Sequence, residues 1–254
     1  MRIVSWNLGI AYGPYREHHD RAWRALLDLD PGIAFLQEAV PPAWLPPEWH
    51  VVTYPFELWG SAVISRFPLT PIAFAPESHL GRFGAYLALA HAELPDGTRT
   101  VVGSVHERTR PASRRLLAGL DGERMRRPSV PEPWWNDVVW HGLADLVRGE
   151  RFLLGGDWNT SRWVDADGNP EPAGQEFHDR AAADGWVDLH HRIRGREVRS
   201  WFGTMSAREH QPDVIFADQW MAGRVADAWV EQGLARDGRL SDHAPVIVEV
   251  DPGG

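Results

Sequence analysis

Eight polar residues of this chain stand at the ends of strand-like segments, where a sheet could hold them close together. They are Asn7, Glu38, His106, Asp157, Asn159, Asp213, Asp242 and His243. Carboxylate oxygens bind Mg²⁺ or Mn²⁺, amide nitrogens donate hydrogen bonds to phosphate oxygens, and histidine supplies a proton or a positive charge. The set therefore indicates chemistry on a phosphoryl group with the help of a divalent cation.

Each of these residues taken alone has a simpler explanation, because a polar residue at a strand terminus is usually part of a turn or a cap. In "RLSDHAPVIVEV", for example, Asp242 and His243 could form a polar turn before Pro245 and the β-branched run at 246–250. The chemical interpretation depends on the set as a whole.

Composition excludes several mechanisms. The 254 residues include no cysteine, and all 26 basic residues are arginine. Disulfides, thiolate catalysis, Cys-ligated zinc and Schiff-base lysines are therefore excluded. No apolar run approaches the roughly 18 residues of a membrane span. The strand-like run at residues 1–6 leaves no room for a signal peptide, so we expect a cytoplasmic protein.

The net charge of −9 argues against a general nucleic-acid-coating surface but not against a nucleic-acid enzyme, for which a local basic strip suffices. Such a strip lies within residues 107–135 and contains Arg108, Arg110, Arg114, Arg115, Arg124, Arg126 and Arg127. It could be a solvated loop whose arginines pair with acids, or a phosphate-contacting arm that begins beside His106. Trp134 and Trp135 could stack on bases or anchor a helix.

Hydrophobic patterns predict an α/β layered fold with mixed strands. Strands are predicted at 2–6, 33–37, 50–54, 61–66, 85–93, 99–106, 151–156, 213–217 and 246–250, and helices at 16–29, 136–148 and 175–184. An Asp-Gly pair in "ELPDGTRT" indicates a hairpin at 93–100. We expect one catalytic domain over 1–254, with 107–135 as an excursion from the sheet.

The motifs "SWN", "LQE", "GDWN" and "SDHAPV", in this order, resemble the signature blocks of the endonuclease/exonuclease/phosphatase superfamily. That superfamily includes deoxyribonuclease I, abasic-site endonucleases, RNA deadenylases, neutral sphingomyelinases and inositol polyphosphate phosphatases. The resemblance runs from Ile3 to Val248. It implies a deoxyribonuclease I-like fold, that is, a four-layer α/β/β/α sandwich of two packed, mixed, largely antiparallel sheets.

The resemblance also implies a metal site and substrate contacts. Glu38 would be the principal ligand of Mg²⁺, with Mn²⁺ as an alternative, and Asn7 and Asp242 would complete or orient the site. The residues expected to contact substrate are Asn7, Asn159, Arg108, Arg124, Arg126 and Arg127.

Catalytic roles follow from the same resemblance. Asp157 would polarise or deprotonate the attacking water, and Asn159 would donate a hydrogen bond to the phosphate. His243 would stabilise the transition state, with Asp213 orienting its ring, and His106 would assist the phosphate or the leaving oxygen. The physical logic is general, since in-line attack on phosphorus builds negative charge that a metal and preorganised donors neutralise.

The sequence thus favours a metal-dependent phosphoesterase acting on a phosphodiester such as a nucleic-acid backbone, with DNA or RNA as substrate. Within enzymes, the alternative is a phosphatase or phosphodiesterase for a small molecule or a lipid headgroup. A non-catalytic phosphate-binding module is a third possibility, although such a module has no use for the full set of eight residues. No partner protein is evident, and we expect a monomer.

Overall fold

The computed structural model of the chain describes residues 1–10, 13–56, 59–162, 172–203 and 210–251. Within these ranges the strands form two six-stranded sheets. The first sheet has the order β11-β12-β1-β2-β4-β3 and consists of β1 (Arg2–Asn7), β2 (Ile33–Ala39), β3 (His50–Phe56), β4 (Trp59–Ser65), β11 (Val225–Val230) and β12 (Val246–Val250). The second has the order β5-β6-β7-β8-β10-β9 and consists of β5 (Leu69–Pro71), β6 (Leu87–Glu93), β7 (Arg99–His106), β8 (Phe152–Asp157), β9 (Val187–Asp188) and β10 (Asp213–Ala217).

Helices connect and cover these sheets. Those in the described part of the chain are α1 (Gly13–Arg16), α2 (His19–Asp28), a 3₁₀ helix (Leu80–Tyr86), α3 (Arg114–Leu117), α4 (Gly122–Met125), α5 (Trp135–Leu146), α6 (Pro172–Ala183), α7 (Leu189–Arg194), α8 (Gln219–Ala222) and α9 (Gly233–Arg236). None of the helices described is long and apolar enough to span a membrane.

Both sheets are mixed. β1 pairs in parallel with β2, and β7 pairs in parallel with β8, while the other pairings are antiparallel. A parallel pair needs a crossover, and the helix α2 lies in one of these connections and α5 in the other.

The core consists of three apolar layers, which follow from the alternation of side chains along each strand. In β1 and β12, Ile3 and Val248 face the space between the sheets, whereas Val4 and Ile247 face the outside, where α2 covers them. On the outer face of the second sheet, Val105 packs with residues of α5 and α6. These layers confirm the predicted four-layer sandwich.

Several predicted elements differ from the structure. The short strands β5 and β9 and the strand β11, which has the sequence VADAWV, were not predicted, because their runs are brief or interrupted by polar and small residues. The strand predicted at 85–93 begins at Leu87, since the 3₁₀ helix occupies the preceding residues. The hairpin is present, and Leu94 and Thr98 close its turn with Gly97 at φ +79°.

The arginine-rich segment 107–135 contains α3 and α4, packs through Ala112, Leu116 and Met125 into the layer on the outer face of the second sheet, and returns through a bridge between Pro111 and Trp134. The expectation that Arg127 contacts substrate is corrected here. Its side chain is 2% exposed and pairs with Asp137 on α5 at 3.0 Å, so it joins this segment to the helix layer.

Candidate active site

Strand register brings three of the predicted residues side by side. His106 at the end of β7 is the Cα partner of Asp157 at the end of β8, and Asp157 is in turn the partner of Asp213 at the start of β10. Because β10 runs antiparallel to β8, its first residue reaches the same edge of the sheet as the last residue of β8. The sequence motif "GDWN" and Asp213 therefore meet through sheet pairing alone.

The other sheet contributes from the same end. The side-chain amide of Asn7 donates to Asp157 Oδ2 at 3.1 Å, and His243 Nδ1 lies 2.9 Å from Asp213 Oδ2. The sheets can approach closely here because β8 carries Gly155, where an added Cβ would lie 2.3 Å from the ring of Phe35. The candidate site is the place where the ends of both sheets meet.

His243 is held as a charged donor. Burial opposes its ionisation, but Asp213 and Asp157 outweigh burial and raise the pKa of His243 well above its usual value. The backbone of His243 is fixed as well, because its N–H donates to Ser241 Oγ at 3.0 Å and its carbonyl accepts from the indole of Trp6 at 2.8 Å. Its other ring nitrogen, Nε2, lies 3.8 Å from Asp157 Oδ2.

Asp157 is a buried carboxyl with fixed oxygens. The backbone N–H of Asn159 donates to Oδ1 at 3.1 Å, while Oδ2 accepts from Asn7. Burial raises the pKa of Asp157 to about 7, with His243 opposing and Asp213 adding to the rise. A carboxylate with this pKa can take a proton at neutral pH.

His106 contrasts with His243. Its Nε2 lies 3.6 Å from Glu38 Oε1 and 3.9 Å from Asp157 Oδ2. Burial, with the charge of His243 in addition, lowers the pKa of His106 to about 3. The site therefore combines a charged imidazole with a neutral one, and the neutral ring can carry one donor and one acceptor nitrogen.

Two site residues adopt left-handed backbone conformations. Glu38 and Asn159 both have φ +47°. For Glu38 this coincides with a register shift between Leu36 and Ala39 in the β2–β4 pairing, a bulge that redirects the side chain. Such conformations cost on the order of 1–3 kcal/mol each and cluster at functional sites.

The residues present fit a hard divalent cation. The site contains three buried carboxyl groups, Glu38, Asp157 and Asp213, and one charged imidazole, because His106 is neutral. Ligand atoms of Asp157, Asp213 and His243 lie within 4.8 Å of one another, although Nδ1 of His243 is already bound to Asp213. An excess of buried negative charge with oxygen donors favours Mg²⁺ or a similar ion.

Asp242 differs from the other predicted ligands in its surroundings. Its Oδ2 accepts from the indole of Trp201 at 3.2 Å, and it is partly exposed. Asn7 retains capacity at Oδ1, which accepts from the N–H of Gly9 at 3.0 Å and has a second lone pair.

The predicted substrate-binding arginines occupy different environments. Arg108 is half-buried, and its guanidinium lies over the rings of Tyr86 at 4.8 Å and Trp135 at 5.4 Å. Arg124 and Arg126 are exposed on and after α4, and Arg126 pairs with Glu123 at 3.0 Å.

Sequence reasoning assigned no role to Glu107, which lies directly beneath the site. Its N–H donates to the carbonyl of Asp157 at 2.8 Å, and its carbonyl accepts from the side chain of Asn159 at 2.8 Å. Its carboxyl oxygens have no hydrogen-bond partner among the residues described. Burial, followed by Asp157 and Asp137, raises the pKa of Glu107 well above its usual value. In the sequence, the only sign that Glu107 lies at the site is its position next to His106.

Ser200 is the other residue that sequence reasoning missed. Its hydroxyl donates to Asp213 Oδ2 at 2.6 Å, the oxygen that also lies nearest to His243. No signal in the sequence pointed to it, because residue 200 lies outside every motif.

A family model described as the Endonuclease/Exonuclease/phosphatase family matches residues 4–243. A 3′ phosphatase from Neisseria bound to a product DNA hairpin superposes with a TM-score of 0.71 at 20% identity, with 99% of each chain covered. A 3′–5′ exonuclease from Neisseria meningitidis has a TM-score of 0.70 at 21% identity, covering 99% of this chain and 100% of that one.

An abasic-site (AP) endonuclease from Archaeoglobus fulgidus is similar to the same extent, with a TM-score of 0.68 at 19% identity and 99% of each chain covered. No functionally curated sequence matches the chain. At these identities the likeness to solved structures shows the fold.

Proposed function

The chain belongs to the endonuclease/exonuclease/phosphatase family, and we propose from this premise that it is a divalent-metal-dependent phosphoesterase that hydrolyses the phosphodiester backbone of nucleic acid. The observation that carries the proposal is the arrangement of Asp157, with a pKa of about 7, 3.8 Å from the charged ring of His243. A base and a fixed positive charge side by side suit attack by water on a phosphate.

Asp157 acts as the base in this proposal. Its two oxygens are fixed by the amide of Asn7 and the N–H of Asn159, so the carboxyl group cannot rotate freely. A lone pair of the carboxylate therefore keeps a constant direction towards the attacking water. As the oxygen of water bonds to phosphorus, its proton passes to Asp157; the P–O ester bond opposite the attacking water breaks, and the leaving oxygen takes a proton from solvent.

His243 stabilises the charge that this attack creates. The imidazolium donates to a non-bridging phosphoryl oxygen, where negative charge accumulates as the bond to water forms. Asp213 fixes the ring through Nδ1, so that Nε2–H is the donor that faces the reacting group.

Glu38, Asn7 and Asp242 would hold Mg²⁺ or Mn²⁺. When bound, the ion supplies Lewis-acid neutralisation of phosphate charge. This neutralisation matters because the buried carboxylates of the site would otherwise repel the negatively charged phosphate of the substrate.

Asn159 and His106 complete the phosphate contacts. One hydrogen of the Asn159 side-chain amide is used on the carbonyl of Glu107, and the second remains for a phosphate oxygen. His106, neutral because of its low pKa, supplies a hydrogen bond to the phosphate or the leaving oxygen.

Arginine–aromatic contacts near the site support a long polyanion as substrate. Arg108 lies over Tyr86, whose ring is next to His106, and near Asp242 the guanidinium of Arg199 lies over Phe202 at 4.7 Å. The Neisseria relative bound to a DNA hairpin is in accord with this choice. The net charge of −9 favours the alternative, a small phosphate ester or a lipid headgroup.

We take residues 1–254 as one catalytic domain.

Hydrolysis assays test the proposal. With Mg²⁺ or Mn²⁺, we expect cleavage of plasmid DNA, single-stranded DNA or RNA, loss of activity in EDTA and its return on adding the ion. Parallel assays contain a bis-nitrophenyl phosphodiester and a monoester. Activity on the monoester alone would support the small-molecule alternative, and no hydrolysis of any substrate would refute a phosphoesterase.

A further inference from the structure

An alternating series of rings and guanidinium groups runs outward from His106. The ring of Tyr86 lies 5.6 Å from that of His106, Arg108 lies over both Tyr86 and Trp135, and Arg110 lies over Trp135 at 5.0 Å. We call Tyr86, Arg108, Trp135 and Arg110 the arginine–aromatic ladder. It begins at the candidate site and ends at the surface, where Arg110 is exposed.

The rings of the ladder are fixed and covered. Trp135 packs edge-on against Tyr86 at 5.1 Å and against Phe83 at 5.4 Å, and its backbone N–H donates to the carbonyl of Arg110 at 3.1 Å. Only 9% of Tyr86 and 7% of Trp135 is exposed. These rings therefore have little open face for a nucleobase, and their function is to hold the arginines.

The two arginines are the groups of the ladder that can contact a ligand. A guanidinium held over an aromatic ring keeps its N–H groups in its own plane, in the fork geometry that matches phosphate oxygens. Arg110 has no carboxylate partner among the residues described. Arg126 and Arg127, from the same segment, are instead paired with Glu123 and Asp137.

We propose that the ladder is a subsite for the phosphates that flank the scissile phosphate on its His106 side, with Arg108 at the nearer phosphate and Arg110 at the next. This inference rests on the proposed function and specifies its substrate as an extended polyanionic strand. Because the rings are covered and the arginines contact phosphates, recognition by the ladder is independent of base sequence and sensitive to salt.

The experiment compares a single-stranded oligonucleotide with a bis-nitrophenyl phosphodiester, which has no flanking phosphate. Arg108→Ala and Arg110→Ala are each expected to raise KM for the oligonucleotide about tenfold. Each should also reduce the slope of log KM against log salt by about 0.7, the value for one lost phosphate contact on a single strand. The loss of kcat/KM on the small diester, which offers no flanking phosphate, should be much smaller than the loss on the oligonucleotide.

Arg99→Ala is the matched control, because Arg99 is an exposed arginine at the opposite end of β7, the strand that carries His106. It removes the same charge from the protein and should leave KM and the salt slope unchanged. Arg110→Gln changes an exposed position, so the subsite can still be tested if Arg108→Ala fails to fold. It should raise KM for the oligonucleotide as Arg110→Ala does.

Three outcomes with the variants would overturn the subsite. These are an unchanged KM and slope in both arginine variants, an equal change in Arg99→Ala, or equal losses on the two substrates. A wild-type protein that cleaves the small diester but not the oligonucleotide also overturns it and leaves the phosphoesterase intact. Inactivity on every phosphoester refutes the proposed function itself.

Discussion

The two ends of the sandwich treat charge in opposite ways. At the end where β1 begins, acids near the surface pair with arginines, as in Arg2 with Glu249 at 3.0 Å and Arg224 with Asp96 at 2.6 Å. At the end where β1 finishes, the acids are buried: Asp157 and Asp213 lie beside His243, and Glu38 lies beside His106.

The difference separates structural charges from functional ones. Exposed pairs each contribute about 0–1 kcal/mol to stability and have little other effect. Buried like charges lower stability, and a fold that keeps them, with their pKa values shifted, indicates a chemical use. The backbone shows the same contrast, since Asp30 adopts positive φ in an exposed turn, whereas Glu38 does so while buried.

The largest expected effect comes from removing the charges of the catalytic end. His243→Ala and Glu38→Ala should each lower kcat by at least about two orders of magnitude, because transition-state charge then lacks a neutralising group. Turnover on the oligonucleotide measures this, with circular dichroism to verify folding.

His243→Ala removes the imidazole that pairs with Asp213, so His243→Asn, which keeps a neutral donor, separates lost charge from lost structure. Asp96→Asn at the opposite end is the control and should retain full turnover. Equal activity in the catalytic-end variants and the control would abolish the proposed distinction between the two ends.

The second effect concerns the base. In the metal-free protein, the pKa of Asp157 is about 7, and a nearby divalent cation should lower it by favouring the carboxylate. Below its pKa, Asp157 is protonated and cannot accept the proton of water, so kcat/KM should fall about tenfold per pH unit on the acid side. Carboxyl NMR titration with and without Mg²⁺ measures the shift. A pKa unchanged by Mg²⁺ would remove Asp157 from the neighbourhood of the ion.

The third prediction uses Glu107, the buried carboxyl without a hydrogen-bond partner. Its pKa is raised in the folded state, so the folded protein holds a proton that the unfolded chain releases above about pH 4.5. Wild-type stability should therefore fall as pH rises from there, by up to about 1.4 kcal/mol per pH unit, and Glu107→Gln should lack this loss. Urea unfolding from pH 5 to 8 measures the difference in the free energy of unfolding between the two proteins. A difference that stays constant with pH would contradict a raised pKa of Glu107.

The sequence allowed prediction of the family, the layered fold and the strand ends that carry the candidate site, because these depend on local patterns and motif order. Register then brings His106, Asp157 and Asp213 together without further information. The bulge that redirects Glu38 was not predictable, since it arises from how β2 pairs with β4.

Burial within the arginine-rich segment also lay beyond the sequence. Arg126 and Arg127 are neighbours in the chain, yet one is exposed and the other is enclosed beside Asp137. The difference depends on the packing of α5, which no local pattern encodes. The same packing decides that Trp135 supports arginines rather than bases, and that Glu107 is buried.

The smallest expected effect comes from the opposite end. Asp96→Asn removes the ion pair with Arg224 but preserves the Asp-Gly turn geometry and the stacking of Arg224 on Trp220 at 4.5 Å. The bond from Arg224 lowers the pKa of Asp96 to about 2, so the pair stabilises the fold above about pH 4 and this stabilisation disappears as pH falls through 2. At neutral pH we expect a loss below about 1 kcal/mol, reduced further by salt, with kcat and KM unchanged. Urea unfolding at low and high salt, together with the oligonucleotide assay, measures both quantities. A change in kcat would mean that the two ends are coupled through the sheets, and that paired surface charges cannot be set aside as purely structural.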